Sequence, residues 1–191
     1  MVISATGINN IRDYEGLSLS PYIDDDKTTP GVEYSIGYGH QIQPGESYLM
    51  QGVTREQAEQ LFINDVMKFS AGVNSYLKVP VPQSVYDSLV SFAYNIGLGN
   101  FSKSVLLSQI NAGYDWQTVF DTWQNNWDAT DSLATRRENE AVYAANGIPG
   151  DTYEPDTGNV PYNASNAVKT TGSILIPVLL VGSLLYFGSR S

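Results

Sequence analysis

The C-terminal end of the chain carries twenty consecutive uncharged residues, 170–189, between Lys169 and Arg190. Their centre, residues 174–187, is mostly apolar. A helix of this length spans about 30 Å, which is the thickness of the hydrocarbon core of a bilayer. A buried C-terminal helix is the alternative, but these residues offer no polar face. The sequence therefore predicts a transmembrane anchor at residues 170–189, and the single cation at each end leaves its orientation open.

The residues before this segment separate into a folded part and a polar connection. Residues 147–169 are rich in Gly, Pro, Asn, Asp and Tyr, and three prolines interrupt any helix there. Such a composition predicts a flexible linker of roughly twenty residues. Residues 1–146 remain as one globular domain of ordinary size.

Helical periodicity dominates this globular domain. Residues 54–57, Thr-Arg-Glu-Gln, form a capping box that opens a helix through about Val73. Apolar residues at helical spacing predict further helices near residues 8–14, 82–96, 105–110, 116–127 and 133–145. The strand-like residues 34–40 predict a small sheet within residues 18–45. The expected fold class is α+β, with a small sheet lobe and a larger helical lobe that enclose a ligand cleft.

Composition excludes several classes of function. Ten Lys and Arg against twenty Asp and Glu give a net charge of −10, which argues against binding of nucleic acid through a broad basic face. The chain has no cysteine and a single histidine, His40. It therefore has no disulfide, no thiol nucleophile and no thiolate metal site, and we expect neither a metal centre nor a cofactor.

Two carboxylates are the strongest candidates for chemistry. Glu15 ends an amphipathic helix directly before Gly16, and both apolar neighbours and the negative end of the helix dipole favour its protonated form. A carboxylic acid of this kind can act as a general acid. Asp24 follows nine residues later and opens an Asp-Asp-Asp run, which lacks the glycine and glutamate of a calcium-binding EF-hand loop. A second carboxylate across a cleft is the arrangement that glycoside hydrolysis requires.

Several ordered motifs together resemble the phage-type lysozymes, glycoside hydrolase family 24. They are Glu15-Gly-Leu, Tyr22-Ile-Asp24, Ser35-Ile-Gly-Tyr-Gly-His40, Gln57-Ala-Glu-Gln-Leu-Phe-Ile-Asn-Asp65, Asp87-Ser-Leu-Val-Ser-Phe-Ala-Tyr94-Asn95 and Leu133-Ala-Thr-Arg136-Arg137-Glu-Asn-Glu140. The resemblance extends from about Ile8 to Gly147 and implies a lysozyme-like fold of two lobes.

The resemblance also implies catalytic roles. Glu15 would protonate the leaving glycosidic oxygen, and Asp24 would activate water or stabilise the positive charge that develops on the sugar. Ser35 stands where the family has threonine and would hold the attacking water with its hydroxyl. The loop between Asp24 and Ser35 is longer than is usual in the family.

Further residues are implied as binding or structural groups. Tyr94 and Asn95 would line the cleft and contact sugar, although ordinary helix packing is an equal alternative. Arg136 would lie beside Glu15, where its charge favours the ionised carboxylate and opposes the effect of burial. His40 and Asp65 would form a structural ion pair between the lobes.

The function that the resemblance implies is that of a muramidase, which cleaves the β-1,4 bond between N-acetylmuramic acid and N-acetylglucosamine in peptidoglycan with inversion. Its partners would be glycan strands and, through the predicted anchor, a lipid membrane, with virion proteins as further candidates. The anchor would place the enzyme in a virion membrane or the host inner membrane, for infection or for lysis. Two alternatives remain at this point: a non-catalytic peptidoglycan-binding structural protein of a virion, and a lytic transglycosylase.

Overall fold

The structure is a computed structural model that describes residues 1–24, 33–125 and 131–148, all within one unit, Met1–Thr157. The helices in these residues are α1 Ala5–Tyr14, α2 Arg55–Tyr76, α3 Gln83–Ile96, α4 Leu98–Phe101, α5 Val105–Ala112, α6 Trp116–Asn125 and α7 Asp131–Asn146. The strands are β1 Ser18–Asp24, β2 Glu33–Gly37 and β3 His40–Gln41, and a short 3-10 helix covers Ser47–Gln51. A helical majority with a small sheet confirms the predicted α+β class.

The sheet is an antiparallel meander in the order β1-β2-β3. Ser35 in the central strand pairs with Tyr22 on one side and with Gln41 on the other, and Asp24 at the end of β1 pairs with Glu33. The sheet therefore holds the chain segments around Asp24 and Ser35 on neighbouring strands.

Helix α2 connects the sheet to the helical lobe. Both arms of the predicted capping box form: the Gln57 N–H donates to Thr54 Oγ1 at 3.2 Å, and the Thr54 N–H donates to Gln57 Oε1 at 2.8 Å. Ala58 in the first turns packs directly against the backbone of Gly37 in β2. Because α2 has 22 residues, it extends about 33 Å from the sheet into the helical lobe.

Helix α3 is the centre of the helical lobe, and α1, α2, α4 and α7 pack around it. Every residue from Val85 to Ala93 is buried. The Phe92 ring lies 5.9 Å from the ring of Trp123 and 6.3 Å from that of Phe101, in edge-to-face arrangements. In α6, Phe120 and Trp123 are buried and Trp116 is partly buried.

The predicted anchor, residues 170–189, and nearly all of the predicted linker, residues 147–169, lie outside the described residues. Among the helices that the structure does describe, none combines the length and the apolar character needed to cross a membrane. The anchor and the linker therefore stay predictions.

Candidate active site

Glu15 directly follows α1 and ends it. Its backbone N–H still donates to the carbonyl oxygens of Ile11 and Arg12, while its own φ and ψ of −92° and 131° turn the chain out of the helix. The Glu15 side chain is 21% exposed. Its Oε1 accepts a hydrogen bond of 2.8 Å from Arg136 Nη1 in α7. The partly buried carboxylate at the end of α1 thus contacts α7.

The second oxygen of Glu15 faces the turn between β2 and β3. A β-carbon built on Gly39 would lie 3.8 Å from Glu15 Oε2, and Gly39 has a φ of +84°, which favours glycine. The Tyr38 carbonyl in the same turn accepts a 2.9 Å hydrogen bond from the Tyr94 hydroxyl of α3. The Glu15 carboxylate therefore lies where the sheet turn meets the helical lobe.

Arg136 is held from several sides. Its Nε donates to Glu140 Oε1 at 3.1 Å, its Nη2 donates to the Ser91 carbonyl at 3.2 Å, and its guanidinium lies 4.7 Å from the ring centre of Tyr14. An arginine that is hydrogen-bonded to a carboxylate favours the ionised form of that carboxylate. The structure thus shows the contact with Glu15 that the resemblance implied.

The Tyr94 hydroxyl is affected by burial and by the charges of the site. Burial raises the pKa of its phenol far above the usual range, and the nearby carboxylates of Asp65 and Glu15 raise it further. The Tyr94 side chain therefore remains a neutral hydroxyl at any pH relevant to the protein, and it acts as a hydrogen-bond donor.

The remaining predicted residues take different places. Ser35 is completely buried in β2. Asn95 is exposed near the end of α3, and its amide oxygen accepts a hydrogen bond from Arg137 Nη2. Asp24 ends β1, and its side chain lies outside the described part of the chain. The structure thus pairs Glu15 with Arg136 and places Tyr94 near them, and the roles of Asp24, Ser35 and Asn95 stay predictions.

Sequence reasoning missed the buried carboxylate behind this site. In the sequence, Glu140 is only the last residue of a motif, yet in the structure it accepts hydrogen bonds from Ser91 Oγ at 2.6 Å and from Trp123 Nε1 at 3.2 Å. The signal was the spacing of Arg136 and Glu140, because residues four apart face each other on a helix. The contacts with α3 and α6 carry no such local signal.

His40 forms the structural pair that the resemblance implied. Its Nδ1 lies 2.8 Å from Asp65 Oδ2, and its Nε2 lies 3.0 Å from Glu46 Oε2. The hydrogen bond with Asp65 is the main cause that raises the pKa of His40 above its usual value. The pair fastens β3 to α2, and Glu46 is a second carboxylate that the sequence did not indicate.

A surface depression is a further candidate site in the described residues, and it does not involve Glu15. An open depression of about 620 Å³ beside Tyr76, Lys78 and Lys103 lies at the far end of α2 and contains no predicted site residue. No group of three or more His, Asp or Glu within the described ranges is arranged to hold a metal ion.

Comparisons with known proteins show the family of this chain. The sequence model of the phage lysozyme family matches residues 12–140, which include every predicted site residue. The chain is 34% identical to the endolysin of Bacillus phage B103 over 211 aligned positions, which cover all of this chain and 78% of that protein. It is 40% identical to the endolysin of Bacillus phage PZA over 156 positions, which cover 78% of this chain but only 57% of that protein.

A solved structure is similar over the same region. The endolysin from Escherichia coli O157:H7 phage FAHEc1 superposes with a TM-score of 0.59 and 31% sequence identity, covering 78% of this chain and 96% of that chain. The family match, the relatives and the fold lead to one conclusion. The chain belongs to the phage lysozyme family and is a hydrolase of the lysozyme type.

Proposed function

We propose that this enzyme is a muramidase that hydrolyses the β-1,4 bond between N-acetylmuramic acid and N-acetylglucosamine of peptidoglycan, with inversion at the anomeric carbon. The observation that carries the proposal is the placement of Glu15, a partly buried carboxylate at the junction of the sheet turn and the helical lobe, in contact with Arg136. A site between two lobes suits an extended glycan chain. The reaction needs an acid, a base and water.

In the first part of the reaction, Glu15 donates its proton to the glycosidic oxygen while the bond from that oxygen to the anomeric carbon breaks. The absence of a side chain at Gly39 leaves room beside Glu15 Oε2 for the sugar. Arg136 holds the other oxygen and keeps the carboxyl group in one orientation. Hydrolysis leaves Glu15 ionised, and Arg136 then stabilises this form until it takes up a proton again.

In the second part, Asp24 removes a proton from a water molecule that attacks the anomeric carbon from the opposite face. The family resemblance assigns the Ser35 hydroxyl to orient this water, although this side chain is completely buried in the structure. The pairing of β1 with β2 supports the assignment, because it holds the two residues on neighbouring strands. Attack from the face opposite to the leaving group inverts the configuration of the product.

In this proposal Asn95 binds the glycan and Tyr94 shapes the site that receives it. The amide oxygen of Asn95 is taken by Arg137, which leaves its amide nitrogen to donate to a sugar hydroxyl. The Tyr94 hydroxyl holds the turn that carries Gly39, so that its contribution is to the shape of the site.

The substitution Glu15→Gln tests the acid. We expect hydrolysis of purified peptidoglycan to fall by about 10²–10⁴-fold, the usual contribution of a general acid. The measurement is the release of reducing ends, together with loss of turbidity. Asp121→Asn in α6 is the control, since this exposed carboxylate accepts a hydrogen bond within its own helix, from Gln117 Nε2 at 2.9 Å, and the variant should stay within about twofold of the wild type. A Glu15→Gln enzyme that retains full activity would overturn the proposal.

Product analysis separates the alternatives. A muramidase releases reducing N-acetylmuramic acid ends of inverted configuration, which proton NMR detects in fresh reactions. Mass spectrometry that finds 1,6-anhydro ends would show a lytic transglycosylase instead. Binding of peptidoglycan without any product from the wild type would show a non-catalytic structural protein.

The predicted anchor belongs to the same proposal. An enzyme with a net charge of −10 gains no electrostatic attraction to an anionic cell wall. We infer that residues 170–189 hold the enzyme at a virion membrane or the host inner membrane, and that tethering raises its concentration at the wall. The length of the uncharged segment supports this role.

A further inference from the structure

Four charged side chains form a continuous series of ion pairs that begins at the active carboxylate. Glu15 accepts from Arg136 at 2.8 Å, and Arg136 donates to Glu140 at 3.1 Å. Glu140 in turn accepts from Arg137 Nη1 at 2.5 Å. The series therefore contains two cations and two anions, and its net charge is zero when Glu15 is ionised.

The inner members of this series are shielded from water. The side chains of Arg137 and Glu140 are 2% exposed and that of Arg136 is 6% exposed. Water cannot screen these charges, so each depends on its neighbours for compensation. Burial lowers the pKa of Arg137, and the charge of Glu140 acts against this effect.

Other titratable groups border the series. The Tyr14 ring of α1 lies against Arg136, and Asp87 of α3 and Tyr143 of α7 border the small space beside Glu140. Asp87 has its own donors, the Ser4 N–H at 2.9 Å and Gln83 Nε2 at 2.8 Å. Among these groups, Glu140 alone accepts from both buried guanidinium groups.

We propose that Glu140 is a positioning residue for the lysozyme reaction: it compensates Arg137 and fixes Arg136, and it thereby sets the pH range in which Glu15 holds its proton. The inference rests on the proposed role of Glu15 as the acid. Glu140 does not touch the substrate in this scheme. It acts through the guanidinium group of Arg136, whose Nε faces Glu140 and whose Nη1 faces Glu15.

The physical argument is one of charge balance. Removal of the Glu140 charge takes a negative charge from the neighbourhood of Glu15, which favours the ionised form of Glu15. Removal of the Arg137 charge takes a positive charge from the same neighbourhood, which favours the protonated form of Glu15. One guanidinium group separates the carboxylates of Glu15 and Glu140, so at an effective dielectric constant of about 20 each change shifts the titration of Glu15 by about one pH unit.

The experiment compares the pH profiles of kcat/KM for three variants of the full chain. We expect Glu140→Gln to move the alkaline limb down by about one pH unit, and Arg137→Gln to move it up by a similar amount. The double variant Glu140→Gln with Arg137→Gln restores the balance and returns the limb towards that of the wild type. Glu140→Asp keeps the charge and should leave the limb in place.

A merely structural role would give a different result. Loss of packing lowers kcat/KM and thermal stability in both single variants, but it does not move the limb in opposite directions. Limbs that stay at the wild-type pH in both single variants, or that move the same way, would overturn the proposal. If Glu140→Gln does not fold, Arg137→Gln and the double variant still test the proposal. In Arg137→Gln, Glu140 keeps three hydrogen-bond donors. In the double variant, the uncompensated negative charge of Glu140 is absent.

A direct titration separates this inference from the proposed function. Carbon-13 NMR follows the side-chain carboxyl signal of Glu15, which is assigned by its loss in Glu15→Gln. Opposite shifts of its titration midpoint in the two single variants support the role of Glu140, whatever the activity of Glu15→Gln. A midpoint that does not change in either variant contradicts that role even if Glu15→Gln is inactive.

Discussion

At the scale of single residues, His40 shows how one side chain couples the two lobes. Both ring nitrogens face carboxylates, Asp65 at 2.8 Å in α2 and Glu46 at 3.0 Å before the 3-10 helix. A ring that donates to both must carry a proton on each nitrogen. The hydrogen bond with Asp65 raises the pKa of His40. The hydrogen bond from the Gln43 N–H lowers the pKa of Glu46, and the hydrogen bond with His40 lowers it further.

These shifts predict a pH-dependent stability. The contribution of His40 is complete below its ordinary pKa of 6.5 and is lost as the pH rises through its raised pKa in the folded protein. The contribution of Glu46 is complete above its ordinary pKa of 4.5 and is lost as the pH falls. We expect His40→Gln to lower the free energy of unfolding by about 2 kcal/mol near pH 5.5, and by less at pH 9. Thermal unfolding of both proteins across this range measures the difference.

A loss of stability that is the same at pH 5.5 and at pH 9 would contradict this account. Glu46→Gln is the control that removes only one of the two contacts of His40, because the contact between His40 and Asp65 stays intact. It should show a smaller loss with the same dependence on pH above neutrality.

At the scale of elements, α1 matters because it carries Glu15 at its end. Its start is fixed by Ser4, whose hydroxyl accepts from the Gly7 N–H at 3.0 Å and donates to Asp87 of α3 at 2.5 Å. Gly7 packs so closely on α3 that an added β-carbon would lie 2.7 Å from Asp87 Cγ. The position of α1 along α3 therefore determines where Glu15 meets Arg136.

This close packing predicts an unusual result for a helical glycine. Gly7→Ala should destabilise the protein by about 1–3 kcal/mol, although alanine is otherwise the better helix former. Gly99→Ala in α4 is the matched control, since nothing lies within 4 Å of its added β-carbon, and it should be neutral or stabilise by about 0.5–1 kcal/mol. Thermal unfolding reports both, and a Gly7→Ala protein as stable as Gly99→Ala would show that α1 can shift freely on α3.

The elements also show what the sequence alone could predict. The start of α2 was predictable because both partners of the capping box lie within four residues. The start of α1 at Ala5 was not, since the Ser4 cap is held by Asp87, which is distant in sequence. The pair of Glu15 with Arg136 was reached only through the family resemblance, because 121 positions separate the two residues and no local pattern links them.

At the scale of the whole molecule, an acidic enzyme whose proposed substrate is an anionic cell wall needs a means other than charge of staying there. The described residues belong to Met1–Thr157, and the predicted anchor follows this unit in the sequence. If the anchor replaces electrostatic attraction, its removal should affect only substrates that are large and fixed in place.

A chain that ends at Thr157 tests this idea. We expect it to hydrolyse soluble chitooligosaccharide-like substrates as fast as the full chain, since the folded unit is kept. We also expect slower lysis of intact sacculi in the presence of membrane, and loss of co-sedimentation with uncharged lipid vesicles. Equal rates on sacculi, or a full chain that does not co-sediment, would exclude a tethering role.

The end of α7 has a consequence for engineering. Gly147 lies against Ser84 at the start of α3, and the segment around Ser4 lies nearby, on Asp87. About 17 Å of helix separate this corner from Arg136. Cargo fused behind residue 148 therefore departs from a corner remote from Glu15, the proposed acid. A fusion at this corner is thus expected to leave the proposed glycan site unobstructed.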